Sequence, residues 1–103
     1  MRSSYVDQLP EVWDKVAAVC VALGDPHRQR ILLLFEPGER LSIKQICDVA
    51  PLSRTAVSHH LRVLRDAGVL KNAREGKEVH FWVDKALVKG ALQDLVDFVR
   101  REY

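Results

Sequence analysis

"LSRTAVSHHLRVLRDAGVL", residues 52–70, carries a start signal, a periodic apolar face and a stop signal in one stretch. Ser53 stands where a helix N-cap accepts a backbone N–H, and Gly68 stands where a helix ends in a left-handed turn. With about 100° of rotation per residue, Val57, Leu61 and Leu64 share one face, which is the face to bury. Thr55, His59, Arg62 and Asp66 fall roughly opposite and point outward. His60 lies about 60° from the buried centre, a boundary position from which its ring packs and one nitrogen reaches a nearby carbonyl or phosphate.

Two adjacent histidines invite a metal reading, which the geometry rejects. Neighbours on a helix point about 100° apart, whereas chelating pairs need a spacing of three or four residues. The outward set instead offers hydrogen-bond donors. Ser53, Arg54, Thr55, Ser58, His59, His60 and Arg62 sit near a helix N-terminus, where the dipole favours anions, and suit phosphates and base edges.

Working outward, Ser42 caps a preceding helix through "IKQICDVA", in which Ile43, Ile46 and Cys47 share a face, and Pro51 bars its continuation. Two short helices joined by a tight turn match a helix-turn-helix, spanning about residues 42–67. From Val69 the period changes. "VLKNAREGKEVHFWVD" has apolar and β-branched residues on both sides of a Glu75-Gly76-Lys77 turn, a β-hairpin or wing over about 69–83. Arg74 and Lys77 flank its tip and are placed to reach a minor groove or the adjacent backbone. His80, between Val79 and Phe81, reads as a surface or packing residue.

Upstream, "PEVWDKVAAVCVALG" places Val12, Trp13, Val16, Val19, Cys20 and Leu23 at helical spacing before Gly24. Asp25 then caps a second helix with Pro26 at its first position and Ile31, Leu32, Leu34 and Phe35 as its core face. At the other end, Asp84 caps a last helix over about 84–102. Its apolar stripe of Leu87, Ala91, Leu95 and Phe98 is widened by Val88, Leu92 and Val99. The expected fold is mainly α with a small β-hairpin, a winged helix-turn-helix of five helices and a two-stranded wing, in one domain over 1–103. One small core cannot bury so broad a last helix, so the excess either joins two copies or packs within the monomer.

Charge sharpens the functional reading. The formal net charge is only +2, yet residues 53–80 hold six basic and three acidic side chains while the flanking segments are balanced or slightly acidic. The positive excess therefore coincides with the helix-turn-helix and wing, as a DNA-binding surface requires. The chain has no apolar run long enough to span a bilayer and no signal-like start, so a cytoplasmic, membrane-free protein is expected. No HExxH, CxxC or nucleophile elbow is present, and His27, His59, His60 and His80 have no ligand spacing; neither an enzyme, a cofactor nor a metal site is expected. A winged helix serving as a protein interaction module is the competing reading, but it needs an apolar patch where Thr55, His59 and Arg62 stand.

The stretches "ALGDPHRQRILLLF", "LSRTAVSHHLRVLRDAGVL" and "REGKEVHFWVD", in that order, resemble the ArsR/SmtB family of bacterial winged-helix repressors from about Val12 to Phe98. The resemblance implies a homodimer joined by its first and last helices. It also implies a palindromic double-stranded operator and repression until an inducer, often a metal ion, releases the protein.

The family's sensing residues are not all here. The Cys-x-Cys-x-x-Cys positions of members that sense soft metals fall on Ser42, Lys44 and Cys47. The last-helix zinc positions fall on Asp84, Ala86, Asp97 and Arg100, without imidazoles and with a repelling cation. The resemblance thus leaves the inducer unknown. Cys20 and Cys47 are the remaining candidates, either as a thiol switch for redox or arsenite or simply as small apolar packing residues.

Overall fold

A computed structural model describes all 103 residues. Residues 1–11 are exposed and have no regular structure beyond a turn into the first helix. That helix, α1 (Val12–Leu23), buries Val16, Val19 and Ala22, residues three apart on one face. Helix α2 (Pro26–Leu32) follows at once, because the Asp25 carboxylate accepts the backbone N–H groups of His27 and Arg28 at 2.8 and 3.2 Å. It is shorter than its apolar pattern suggests. Leu34 and Phe35 lie beyond its end, yet both still pack on the core.

The helix-turn-helix comprises α3 (Ile43–Val49) and α4 (Arg54–Asp66). Ser42 and Gln45 form a reciprocal capping box at the start of α3, and Ser53 Oγ accepts the Ala56 N–H at 3.1 Å at the start of α4. Helix α4 stops in a Schellman arrangement: Gly68 takes φ +82°, its N–H reaches the Arg65 carbonyl, and the Val69 N–H reaches the Leu64 carbonyl. The wing consists of β2 (Leu70–Glu75) and β3 (Glu78–Val83), paired from Leu70↔Val83 to Glu75↔Glu78 around Gly76 at φ +66°.

The sheet has one strand more than the sequence reading expects. β1 (Leu41–Ser42) pairs antiparallel with β3, Leu41 with Phe81 and Ser42 with His80, giving the order β1-β3-β2. Two residues are too few to show alternation, and Ser42 advertises itself only as a cap. Buried Ser42 in fact does both jobs, and so ties the wing to the start of α3.

Val57, Leu61 and Leu64 of α4 are fully buried with Val19, Ala22, Ile31, Ile46, Val69, Leu70, Phe81 and Ala91. The face assigned from helical rotation is the face that packs. The last helix, α5 (Lys85–Glu102), lies along α1, where Trp13 and Phe98 meet edge to face at 4.8 Å. Its outer stripe of Leu92, Val96 and Val99 is 38–47% exposed. The radius of gyration is 16.3 Å, against about 13 Å for a compact domain of this length. No helix is long and apolar enough to cross a membrane.

Candidate nucleic-acid interface

Burying Val57, Leu61 and Leu64 turns the opposite side of α4 to solvent: Arg54, Thr55, His59 and Arg62 are exposed, and Ser58 is half-buried. Ser53 is exposed too, with an oxygen lone pair engaged by the Ala56 N–H, leaving its hydroxyl proton free to donate. Two concavities run between this helix pair and the wing. One, of about 360 Å³, is lined by Ser42, Lys44, Arg54, Lys77 and Glu78 among others. The second, of about 300 Å³, is lined by Ser58, Arg62, Arg65, Asn72 and Phe81 among others. Arg54 and Lys77 are thus brought to one cleft, and Ser58 and Arg62 to the next.

The cations in these clefts differ in readiness. Arg54, Arg62 and Lys77 make no ion pair within the chain, so nothing must be displaced before they meet an anion. Arg65 is folded against Asp66 at 3.0 Å, and Lys44 against Asp48 at 3.2 Å. Arg74 turns back to donate to the Gly76 carbonyl at 3.3 Å, so it braces the wing tip and does not extend from it. Lys44 and Arg65 are cleft residues that sequence reasoning passes over. Lys44 comes beside Lys77 only through the β1–β3 pairing, for which no local signal exists, while the spacing of three between Arg62 and Arg65 is a signal that could have found the latter.

His59 and His60 separate as their positions on the helix require. His59 is exposed. The His60 ring is half-buried, with Nδ1 3.3 Å from Arg28 Nη1, so it faces α2 rather than the clefts. The boundary position is the one read from helical rotation; at about 60° from the core the ring reaches the neighbouring helix first, which takes His60 out of the DNA-contacting set in which the sequence reading also lists it. Burial lowers its pKa below the ordinary imidazole value; Asp25 pulls the other way, and Arg28, His59 and His27 add to the lowering.

His80 packs beneath the wing surface, Nδ1 3.4 Å from Glu75 and Nε2 3.9 Å from Glu78. Glu75 also receives Arg40 at 2.6 Å, and Arg40 lies over the Trp82 ring at 3.9 Å. On this face of the wing Arg40 is engaged by Glu75 and Trp82, in contrast to the unpaired cations of the clefts, while the buried His80 Nδ1 has no hydrogen-bond partner.

The sensing positions of the resembled family are otherwise employed. Ser42 is a buried cap, and Cys47 packs on the core. Asp84 caps α5 and meets Lys71 at 3.4 Å, while Asp97 accepts from Gln93 at 2.8 Å. These residues do not fit a metal. Both cysteines are free thiols, and Cys20 is exposed on α1 rather than packed within the monomer, because only one flank of that helix meets the core.

A family model described as a helix-turn-helix domain matches residues 23–72. The uncharacterized HTH-type transcriptional regulator MJ1325 of Methanocaldococcus jannaschii is 32% identical over 87 residues, 84% of this chain and 97% of its own length. The transcriptional repressor SdpR of Bacillus subtilis is 25% identical over 80 residues, 78% of this chain and 88% of its own. Among solved structures, the homodimeric winged helix-turn-helix DNA-binding domain of Mb0332 from Mycobacterium bovis, a possible ArsR-family transcriptional regulator, superposes with a TM-score of 0.71 at 26% identity. The match covers 99% of this chain and 93% of that one.

Proposed function

The chain belongs to the ArsR/SmtB family of helix-turn-helix transcriptional regulators, and from that premise we propose that it acts as a homodimeric repressor reading a palindromic operator with α4. The observation that carries the reading is the set of unpaired cations, Arg54, Arg62 and Lys77, in the clefts between α4 and the wing. Ser53, Thr55, Ser58 and His59 complete the surface. Arg and Lys serve phosphates and guanine edges, and the hydroxyls fix register on the backbone. Its relatives are transcription regulators, not enzymes, and the surface contains no catalytic constellation. The whole chain works as one domain, in the cytoplasm where DNA is reached.

Dimerisation is supported by what the monomer leaves uncovered. Its accessible surface is 7585 Å², where a compact monomer of this mass has about 5,900 Å². Part of the excess of about 1,700 Å² belongs to residues 1–11. Even half of it, contributed by each of two protomers, makes an interface of standard size. The exposed stripe of Leu92, Val96 and Val99 on α5 supplies its apolar centre. Release from DNA is assigned to an inducer other than the family's metals, since the residues at those positions are occupied as caps, in pairs and in the core.

Selection of bound fragments from the source genome, followed by footprinting, tests this reading. Two protected half-sites related by a dyad about one helical turn apart are expected. Recovery of no preferred sequence would overturn it.

A further inference from the structure

Arg28 is the most heavily engaged cation in the chain. Its side chain is only 12% exposed and bridges from α2 to both α1 and α4. Nε reaches the Ala22 carbonyl at 2.7 Å, and Nη2 shares the Val21 carbonyl, at 3.2 Å, with the Gly24 N–H, so the guanidinium closes the end of α1. Nη1 reaches His60 Nδ1 at 3.3 Å, across to α4. A guanidinium has donors and no acceptor, so this hydrogen bond requires His60 Nδ1 to carry a lone pair, and the ring's single proton to sit on Nε2.

We infer that Arg28 and His60 form a proton-sensitive latch that fixes α4 against α1 and α2, and that opening it weakens DNA binding. The inference rests on the reading of α4 as the DNA-contacting helix. Arg28 and His60 act here as positioning residues.

The groups facing the His60 ring are Arg28 and His27 from α2, Asp25 from its cap, and His59 from its own helix. The His27 and His59 rings lie 5.8 and 5.6 Å away. A second proton on His60 removes the only acceptor that α4 offers Arg28 and sets two cations face to face in a half-buried place. Asp25 is the sole anion in the group. Its Oδ1 already holds two backbone N–H groups, and its Oδ2 lies 3.9 Å from Arg28 Nη1, too far to compensate with a hydrogen bond. Protonation therefore opens the latch. Its sign is opposite to that of protonating His59, which adds a cation on the exposed face and draws phosphate closer.

The test compares wild type with His60→Asn and His60→Leu on the selected operator fragment. Fluorescence anisotropy would be read at fixed salt from about one pH unit above the ordinary imidazole value of about 6.5 downward, past that value to the lowest pH at which circular dichroism shows the protein folded, because burial lowers the His60 pKa. Asparagine keeps an acceptor near the position of Nδ1 and does not titrate; leucine keeps bulk alone. At the higher pH, His60→Asn should bind within about threefold of wild type and His60→Leu about tenfold more weakly, the weakening expected from one charge-assisted hydrogen bond. On acidification wild type should lose more affinity than His60→Asn, because both retain His27 and His59. Equal pH responses, or His60→Leu binding as well as wild type, would overturn the latch. Nitrogen-15 NMR of the His60 ring in the free protein judges the pair without DNA. A ring protonated at Nε2 at neutral pH supports it, and one protonated at Nδ1 overturns it. If no variant and not even wild type binds DNA, the DNA reading fails and the ring tautomer alone decides the pair.

Discussion

Replacing Val96 by aspartate places a carboxylate in the middle of the outer stripe of α5. Val96 is 42% exposed, which corresponds to about 60 Å² of apolar surface and about 1.5 kcal/mol of burial when a partner covers it. A two-fold interface contains the residue twice, so the apolar loss alone is about 3 kcal/mol. Two carboxylates must also be desolvated or held apart, which adds more. A combined loss of at least about 4 kcal/mol raises the dimer dissociation constant about a thousandfold. Sedimentation velocity over a concentration series should then show wild type at twice the 11.7 kDa monomer mass and Val96→Asp near the monomer mass. Val96→Ile should remain dimeric. Because Val96 lies outside the buried cluster, helical content by circular dichroism should survive in the aspartate variant. A wild type that sediments as a monomer at every concentration, or an aspartate variant that dimerises as well as wild type, would refute the reasoning.

Two further substitutions probe the elements that hold α4 in place. Ser53→Ala removes the Oγ that accepts the Ala56 N–H and should cost about 1 kcal/mol in urea unfolding, with a measurable drop in DNA affinity because the capping turn also faces the cleft. Gly68→Ala should cost more. Its φ of +82° strains any L side chain by about 1–2 kcal/mol, and the new Cβ would stand 2.6 Å from Leu87 Cδ1, so that the Leu87 side chain must move as well. An unfolding free energy within error of wild type in either variant would contradict the role given to that residue.

The difference between what could be read and what could not follows from the range of each interaction. The orientation of α4 was legible because its cap, its apolar period and its terminating glycine all lie within sixteen residues, from Ser53 to Gly68. His59 and His60 parted on rotation alone. The third strand was illegible, since Leu41–Ser42 has no period and acquires its structure only from β3, about forty residues on. The same applies to the proximity of Lys44 and Lys77 and to the hydrogen bond between Arg28 and His60, which are 32 positions apart. Cys20 shows a different limit. Helix α1 is apolar on more than one flank, and periodicity does not say which flank the monomer buries and which it leaves at the surface.

The central claim is that the unpaired cations of α4 and the wing hold DNA, and Arg62→Ala tests it most directly. Arg62 is exposed, is unpaired and lies in the cleft with Ser58 and Asn72, so its removal should leave the fold intact. Affinity for the selected operator, measured across a salt series, should fall, and the slope of log K against log salt should shrink by about 0.9 for each phosphate that Arg62 neutralises. With one such phosphate per protomer, the dimer's slope changes by about 1.8. A fall in affinity at unchanged slope would instead assign Arg62 to a base edge, still within the interface. Unchanged affinity together with an unchanged slope would contradict the placement of the DNA-binding surface on this face of α4.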